Sequence, residues 1–104
     1  MPYLINAPIL TAYGDYSFTK ISAHEATGIL KKGFVSAIGH QATADILTRI
    51  LGINVPMNRV SIEMDRGDIA VVFRLLQRLP EGTVLNQKEL EKLPYEMGLL
   101  YRSF

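Results

Sequence analysis

The run Ile69-Ala-Val-Val-Phe-Arg-Leu-Leu76 restricts the fold of this chain more than any other stretch. It is almost unbroken in apolar character, with Arg74 its one interruption, and it leaves no room for a regular wet face. Such a run reads as a central strand, covered on both sides. Tyr3-Leu4-Ile5 is a shorter run of the same kind, ended at Asn6-Ala7-Pro8 because proline disfavours further pairing and restrains the residue before it. Segments of helical spacing alternate with these strands. The predicted class is therefore α/β, one domain over residues 1–104, with a mixed central sheet flanked by about three helices.

In chain order, Tyr16 to Ile21 alternates apolar and polar residues and suits a strand with one wet face. Ser22-Ala-His-Glu25 is a capping box opening a helix whose buried face is Ala26, Ile29 and Leu30, stopped by Gly33. His24 falls in its exposed first turn. Phe34 to Ile38 reads as a strand. After Gly39, the spacing of Ala42, Ile46, Leu47, Ile50 and Leu51 predicts a helix from about His40 to Leu51, closed by Gly52. Asn58 to Met64 alternates again and predicts a strand, joined to Ile69–Leu76 by a tight hairpin turn at Asp65-Arg66-Gly67-Asp68. The Arg-Gly-Asp triplet inside that turn reads as chance. Gln77 to Thr83 is a loop defined by Pro80 and Gly82, Asn86 and Glu89 cap a short helix that buries Leu90 and Leu93, and Tyr95 to Phe104 returns as a closing strand.

Composition narrows the chemistry. The absence of cysteine removes disulfides and thiolate metal sites. A net charge of +1, from 11 basic and 10 acidic residues, argues against binding long nucleic acid through bulk charge. No run approaches the roughly 20 apolar residues of a membrane span. The opening residues carry no basic leader or cleavage-like segment, so a cytoplasmic location is expected. There is no His-Glu-x-x-His, no Gly-x-Ser-x-Gly elbow and no Gly-rich phosphate loop. What remains open is an acid–base site without metal or cofactor.

The step Ala37-Ile38-Gly39-His40 is where such a site would sit. A strand that turns through glycine into a helix aims unpaired backbone N–H groups beyond the strand end, a setting that attracts phosphate. His40 there either moves protons on a bound phosphoester or simply opens a surface helix. Arg78 and Glu81 are its best partners, and otherwise a surface ion pair. Arg74 and Arg78 share a side if the strand runs on regularly, because side chains four apart in an extended chain point the same way. Each arginine can grip an oxyanion with two hydrogen bonds. Arg74 is otherwise a long side chain reaching past the core. Arg59 reaches a phosphate or occupies a wet strand face. Asn6 offers an amide to a base or ribose, and Thr43 a hydroxyl one turn beyond His40.

Four stretches, Leu4-Ile5-Asn6-Ala7, Ala37-Ile38-Gly39-His40, Asn58-Arg59-Val60 and Gln77-Arg78-Leu79-Pro80-Glu81-Gly82, occur in an order and spacing that resembles the viral and phage type III anti-CRISPR ring nucleases, which have bacterial relatives. The likeness covers nearly the whole chain. The Ile-Gly-His step and the Gln-Arg-Leu-x-Glu-Gly loop are its most specific parts. It implies a homodimer that binds cyclic tetra-adenylate and cleaves it without metal to linear di-adenylate ending in a 2′,3′-cyclic phosphate. His40 then matches the catalytic histidine and Glu81 the assisting acid. Asn6, Gly39, Thr43, Arg59 and Arg78 match ligand-holding positions, with Arg74 standing where relatives often carry an amide. The chain departs from the pattern at Ile9 and Ala42, where relatives place hydroxyls or an amide.

The implied chemistry suits these residue types. The ring's own 2′-hydroxyl attacks, so the protein must hold O2′, phosphorus and O5′ in line, neutralise the phosphorane oxygens and protonate O5′. Imidazolium at His40 could supply that proton, a step that contributes roughly 10²–10⁴-fold. A two-fold ring matches a two-fold dimer, one His40 facing each of two opposite phosphates. Two other functions compete: a module that binds or sequesters a nucleotide without cleaving it, and a viral DNA-binding regulator, against which the balanced charge weighs.

Overall fold

A computed structural model of the chain describes residues 1–7, 12–77 and 85–104. Among these residues five strands and three helices follow one another as β1 (Tyr3–Ile5), β2 (Tyr16–Ile21), α1 (Ala23–Leu30), β3 (Val35–Ser36), α2 (Gln41–Leu51), β4 (Ile69–Leu75), α3 (Gln87–Glu91) and β5 (Tyr95–Arg102). The strands form one sheet in the order β2-β5-β4-β1-β3. β1 runs parallel to both β3 and β4, whereas β5 is antiparallel to β4 and β2, so the sheet is mixed as the sequence predicts.

β4 occupies the middle of the sheet. Ala70, Val71, Val72 and Phe73 are all buried, and their side chains alternate between two cores. Val71 and Phe73 join Leu4 and Met97 beneath the helices, against Ala26 and Leu30 of α1, Ala44, Ile46, Leu47 and Leu51 of α2, and Leu90 of α3. Ala70 and Val72 face the other way with Ile5 and Leu100. All three helices thus pack on one face. Burying a side chain such as Phe73 contributes about 1.5–3 kcal/mol, which makes this the main source of stability.

The local signals for helix ends behave as written. Ser22 with Glu25 and Asn86 with Glu89 form complete capping boxes at α1 and α3. Gly52 ends α2 in the left-handed region at φ +69°, where a Cβ is disfavoured. The Thr27 hydroxyl donates to Leu51 O at 3.1 Å and ties the end of α2 to α1.

Two expectations about strands are corrected. Asn58–Met64 alternates but forms no strand; Ile62 and Met64 pack onto the second sheet face while their backbone makes no ladder, so the turn at Asp65–Asp68 opens β4 without being a hairpin. That turn is nevertheless real: Asp68 N donates to Asp65 O at 3.0 Å, and Gly67 takes φ +82°. The last strand predicted over Tyr95–Phe104 is present as Tyr95–Arg102 and lies between β4 and β2, with β2 and β3 at the two edges. The β3 ladder is also shorter than the predicted strand Phe34–Ile38.

Candidate functional site

Parallel strands end together, and ligands of open α/β sheets collect beyond their carboxyl ends. Here β1, β3 and β4 share that end. The register Leu4↔Ser36 between β1 and β3, carried forward two residues, sets half-buried Asn6 level with Ile38, just before Gly39 and His40.

His40 is the N-cap of α2, with extended backbone at φ −129° and ψ 130°. Its carbonyl accepts the first helical bond from Ala44 N at 3.0 Å. Its side chain is exposed and makes no capping hydrogen bond. No acidic residue lies in the first turn of α2 either, so this helix lacks the devices that close α1 and α3. The opening turn therefore offers backbone N–H groups and the positive end of the helix dipole beside an imidazole.

Arg59 joins this corner through the backbone. Its Nε donates to Gly39 O at 2.7 Å, and the side chain is otherwise solvent-exposed. The guanidinium thus stands beside the Gly-His peptide with donors to spare for an anion. A Cβ on Gly39 would lie 3.4 Å from Arg59 Cγ, and Gly39 does not use a positive φ. Neither backbone strain nor lack of space therefore demands glycine at this position. Thr43, the third residue of α2, is half-buried one turn into the same helix.

Arg74 stands apart from this group. It projects from the sheet face opposite the helices, where Nη1 donates to Glu96 Oε2 at 3.4 Å across the β4–β5 ladder. Because β4 ends at Leu75, the regular strand needed to align Arg74 with Arg78 does not extend that far. Arg78 and Glu81 lie outside the described residues, as does Ile9. Ala42 is exposed in the first turn of α2. Among the described residues no three His, Asp or Glu side chains are grouped to hold a metal ion, and no helix is long and apolar enough to cross a membrane.

Asn58 and Ser36 are the residues whose part here sequence reading missed. The Ser36 hydroxyl donates to Pro56 O at 2.7 Å and accepts from Ile38 N at 3.3 Å. The Asn58 amide Nδ2 donates to Ser36 O at 2.7 Å, and its backbone N–H donates to Ile38 O at 2.8 Å. The only available signal was an asparagine beside Arg59, whose side-chain partner lies 22 residues away.

The same arrangement of chain and sheet occurs in known proteins. B116 of Sulfolobus turreted icosahedral virus superimposes with a TM-score of 0.85 over 97% of this chain and 98% of its own, at 24% sequence identity. The ORF117 protein of Acidianus two-tailed virus is 36% identical, covering 96% of this chain and 92% of its own length. YddF of Bacillus subtilis is also 36% identical, covering 94% of each. A viral protein and a bacterial one are thus similar in sequence to nearly the whole of this chain. Residues 2–97 match the STIV B116-like family, and the chain belongs to it.

Proposed function

We propose that the protein is a metal-independent ring nuclease. As a homodimer it binds cyclic tetra-adenylate at the dimer interface and cleaves it to linear di-adenylate with a 2′,3′-cyclic phosphate, ending type III CRISPR signalling in the cytoplasm of the cell where it acts. One observation carries the reading: an exposed histidine with no capping bond stands at an open helix start beside an arginine anchored on the preceding carbonyl. The arginine and the helix N–H groups suit a phosphodiester, and the imidazole suits proton transfer to its leaving oxygen. Arg78 and Glu81 enter through the sequence resemblance, as phosphate ligand and assisting acid.

Incubating the protein with cyclic tetra-adenylate and excess chelator, with products resolved by chromatography, tests this. The expected products are linear di-adenylate species, lost in His40→Ala while ring binding persists. Cleavage by His40→Ala at the wild-type rate would overturn the mechanism. Intact ring after prolonged incubation with wild type would assign a sequestering module instead, and a salt-sensitive shift of duplex DNA a regulator.

A further inference from the structure

We infer that Asn58 is a positioning residue whose two hydrogen bonds, together with those of Ser36, fix the backbone that presents His40. For its kinetic arm alone the inference rests on the ring-nuclease reading above.

The chain between Ser36 and His40 leaves the sheet ladder before it reaches α2. A carrier for a proton donor must nonetheless hold its place, and here two neighbours hold it. On one side β1 accepts the Ala37 N–H at Leu4 O, 2.9 Å away. On the other, the segment Pro56–Arg59 is tied to it by three side-chain hydrogen bonds and one backbone hydrogen bond in place of a ladder. Ser36 Oγ donates to Pro56 O at 2.7 Å, Asn58 Nδ2 donates to Ser36 O at 2.7 Å, Asn58 N donates to Ile38 O at 2.8 Å, and Arg59 Nε donates to Gly39 O at 2.7 Å. Three carbonyls leading to His40, those of Ser36, Ile38 and Gly39, therefore each take a donor from residues 58 and 59.

Asn58 is the centre of this clamp because it supplies both backbone and side-chain donors. The residue type matters. An aspartate of the same shape would turn an acceptor toward the Ser36 carbonyl, and alanine would leave that carbonyl without its donor. His40 itself has no capping bond to hold its ring. Its placement is thus delegated to the peptide before it, which Asn58 and Ser36 hold. Small displacements of a reacting group cost large factors in rate, so the clamp should act on turnover more than on binding.

The chain has two histidines, His24 and His40, so the imidazole Cε1–Hε1 spectrum contains two signals, assigned by their loss in His40→Ala. In ligand-free Asn58→Ala and Asn58→Asp the His40 signal should move or broaden while that of His24, in the first turn of α1, stays in place. With cyclic tetra-adenylate, kcat should fall by about tenfold or more while ring affinity stays within about threefold. A His40 signal that superimposes on wild type in both variants overturns the inference. So does equal movement of His24 with a collapse in Tm, or failure of both variants to fold, since either assigns Asn58 a general structural role. If the wild-type protein leaves the ring intact, the functional reading falls and the imidazole spectrum alone decides the positioning.

Discussion

Ser36→Ala is the sharpest test of how the β3–α2 connection is held. Ser36 is only 4% exposed, and its hydroxyl serves two backbone groups, Pro56 O at 2.7 Å and Ile38 N at 3.3 Å. The two losses differ. Pro56 is exposed, so water can replace the donor its carbonyl loses. Ile38 is fully buried, and the space left by one oxygen atom is too small for a water, so its N–H loses an acceptor without replacement. An unsatisfied buried donor costs about 1–3 kcal/mol, to which the shorter hydroxyl–Pro56 bond adds about 0.5–1 kcal/mol. The expected destabilisation is about 2 kcal/mol, or a fall in Tm of about 8–16 °C for a domain of this size. Urea titration monitored by circular dichroism measures it, and an unchanged slope would show that the unfolded state is not responsible. Ser61→Ala, at an exposed position, is the control and should stay within about 0.5 kcal/mol of wild type. If Ser36→Ala is as mild as that control, the clamp does not contribute to the fold and the reasoning fails.

Three further outcomes follow from the same contacts. Gly28→Ala, inside α1 with nothing within 4 Å of the added Cβ, should stabilise by about 0.5–1 kcal/mol, seen as a rise in Tm; a fall would show an unrecognised role for the glycine. Arg102→Ala removes a guanidinium that donates to Met64 O, Tyr13 O and Phe104 O, so amide exchange around Asp15 and Gly67 should quicken and stability drop by about 1–3 kcal/mol, against no change if the C-terminal segment is held otherwise. His40→Asp supplies the side-chain acceptor that α2 lacks and should raise stability by about 1 kcal/mol while abolishing ring cleavage; a destabilised variant would mean that His40 makes contacts beyond its cap position.

Much of the fold is legible in the sequence because its signals are local. Both capping boxes act within three residues, Gly52 stops α2 through its own φ, and the apolar content of Ile69–Leu75 demands cover on both faces. The strand expected at Asn58–Met64 fails for a physical reason. Alternation records that every second side chain is buried, not that the backbone finds a ladder partner. Ile62 and Met64 satisfy the first condition by resting on the sheet face, so Asn58–Met64 mimics a strand without pairing as one. Strand order is likewise not periodic information: β5 sits between β4 and β2 because Phe73 and Met97, far apart in the chain, share the helix-side core, and no local pattern encodes that.

The site divides along the same line. Its front is legible: a glycine, a histidine and a helical pattern mark a strand-to-helix turn, and the missing acid in the first turn of α2 can be read beside the complete boxes at Ser22 and Asn86. Its back is not legible, because Asn58 meets Ser36 and Arg59 meets Gly39 across separations of 22 and 20 residues. The two halves bear on each other energetically. An N-cap side chain is worth about 1 kcal/mol, and one is used at two of the three helices among the described residues. At the third the chain places a histidine that does not cap, while the side chains or backbone of residues 36, 58 and 59 make four hydrogen bonds to the peptides leading to it. A helix start that served only the fold would be better closed by serine or aspartate and would need no such bracing. Open N–H groups and a braced histidine are what an anionic ligand with a proton to accept would require.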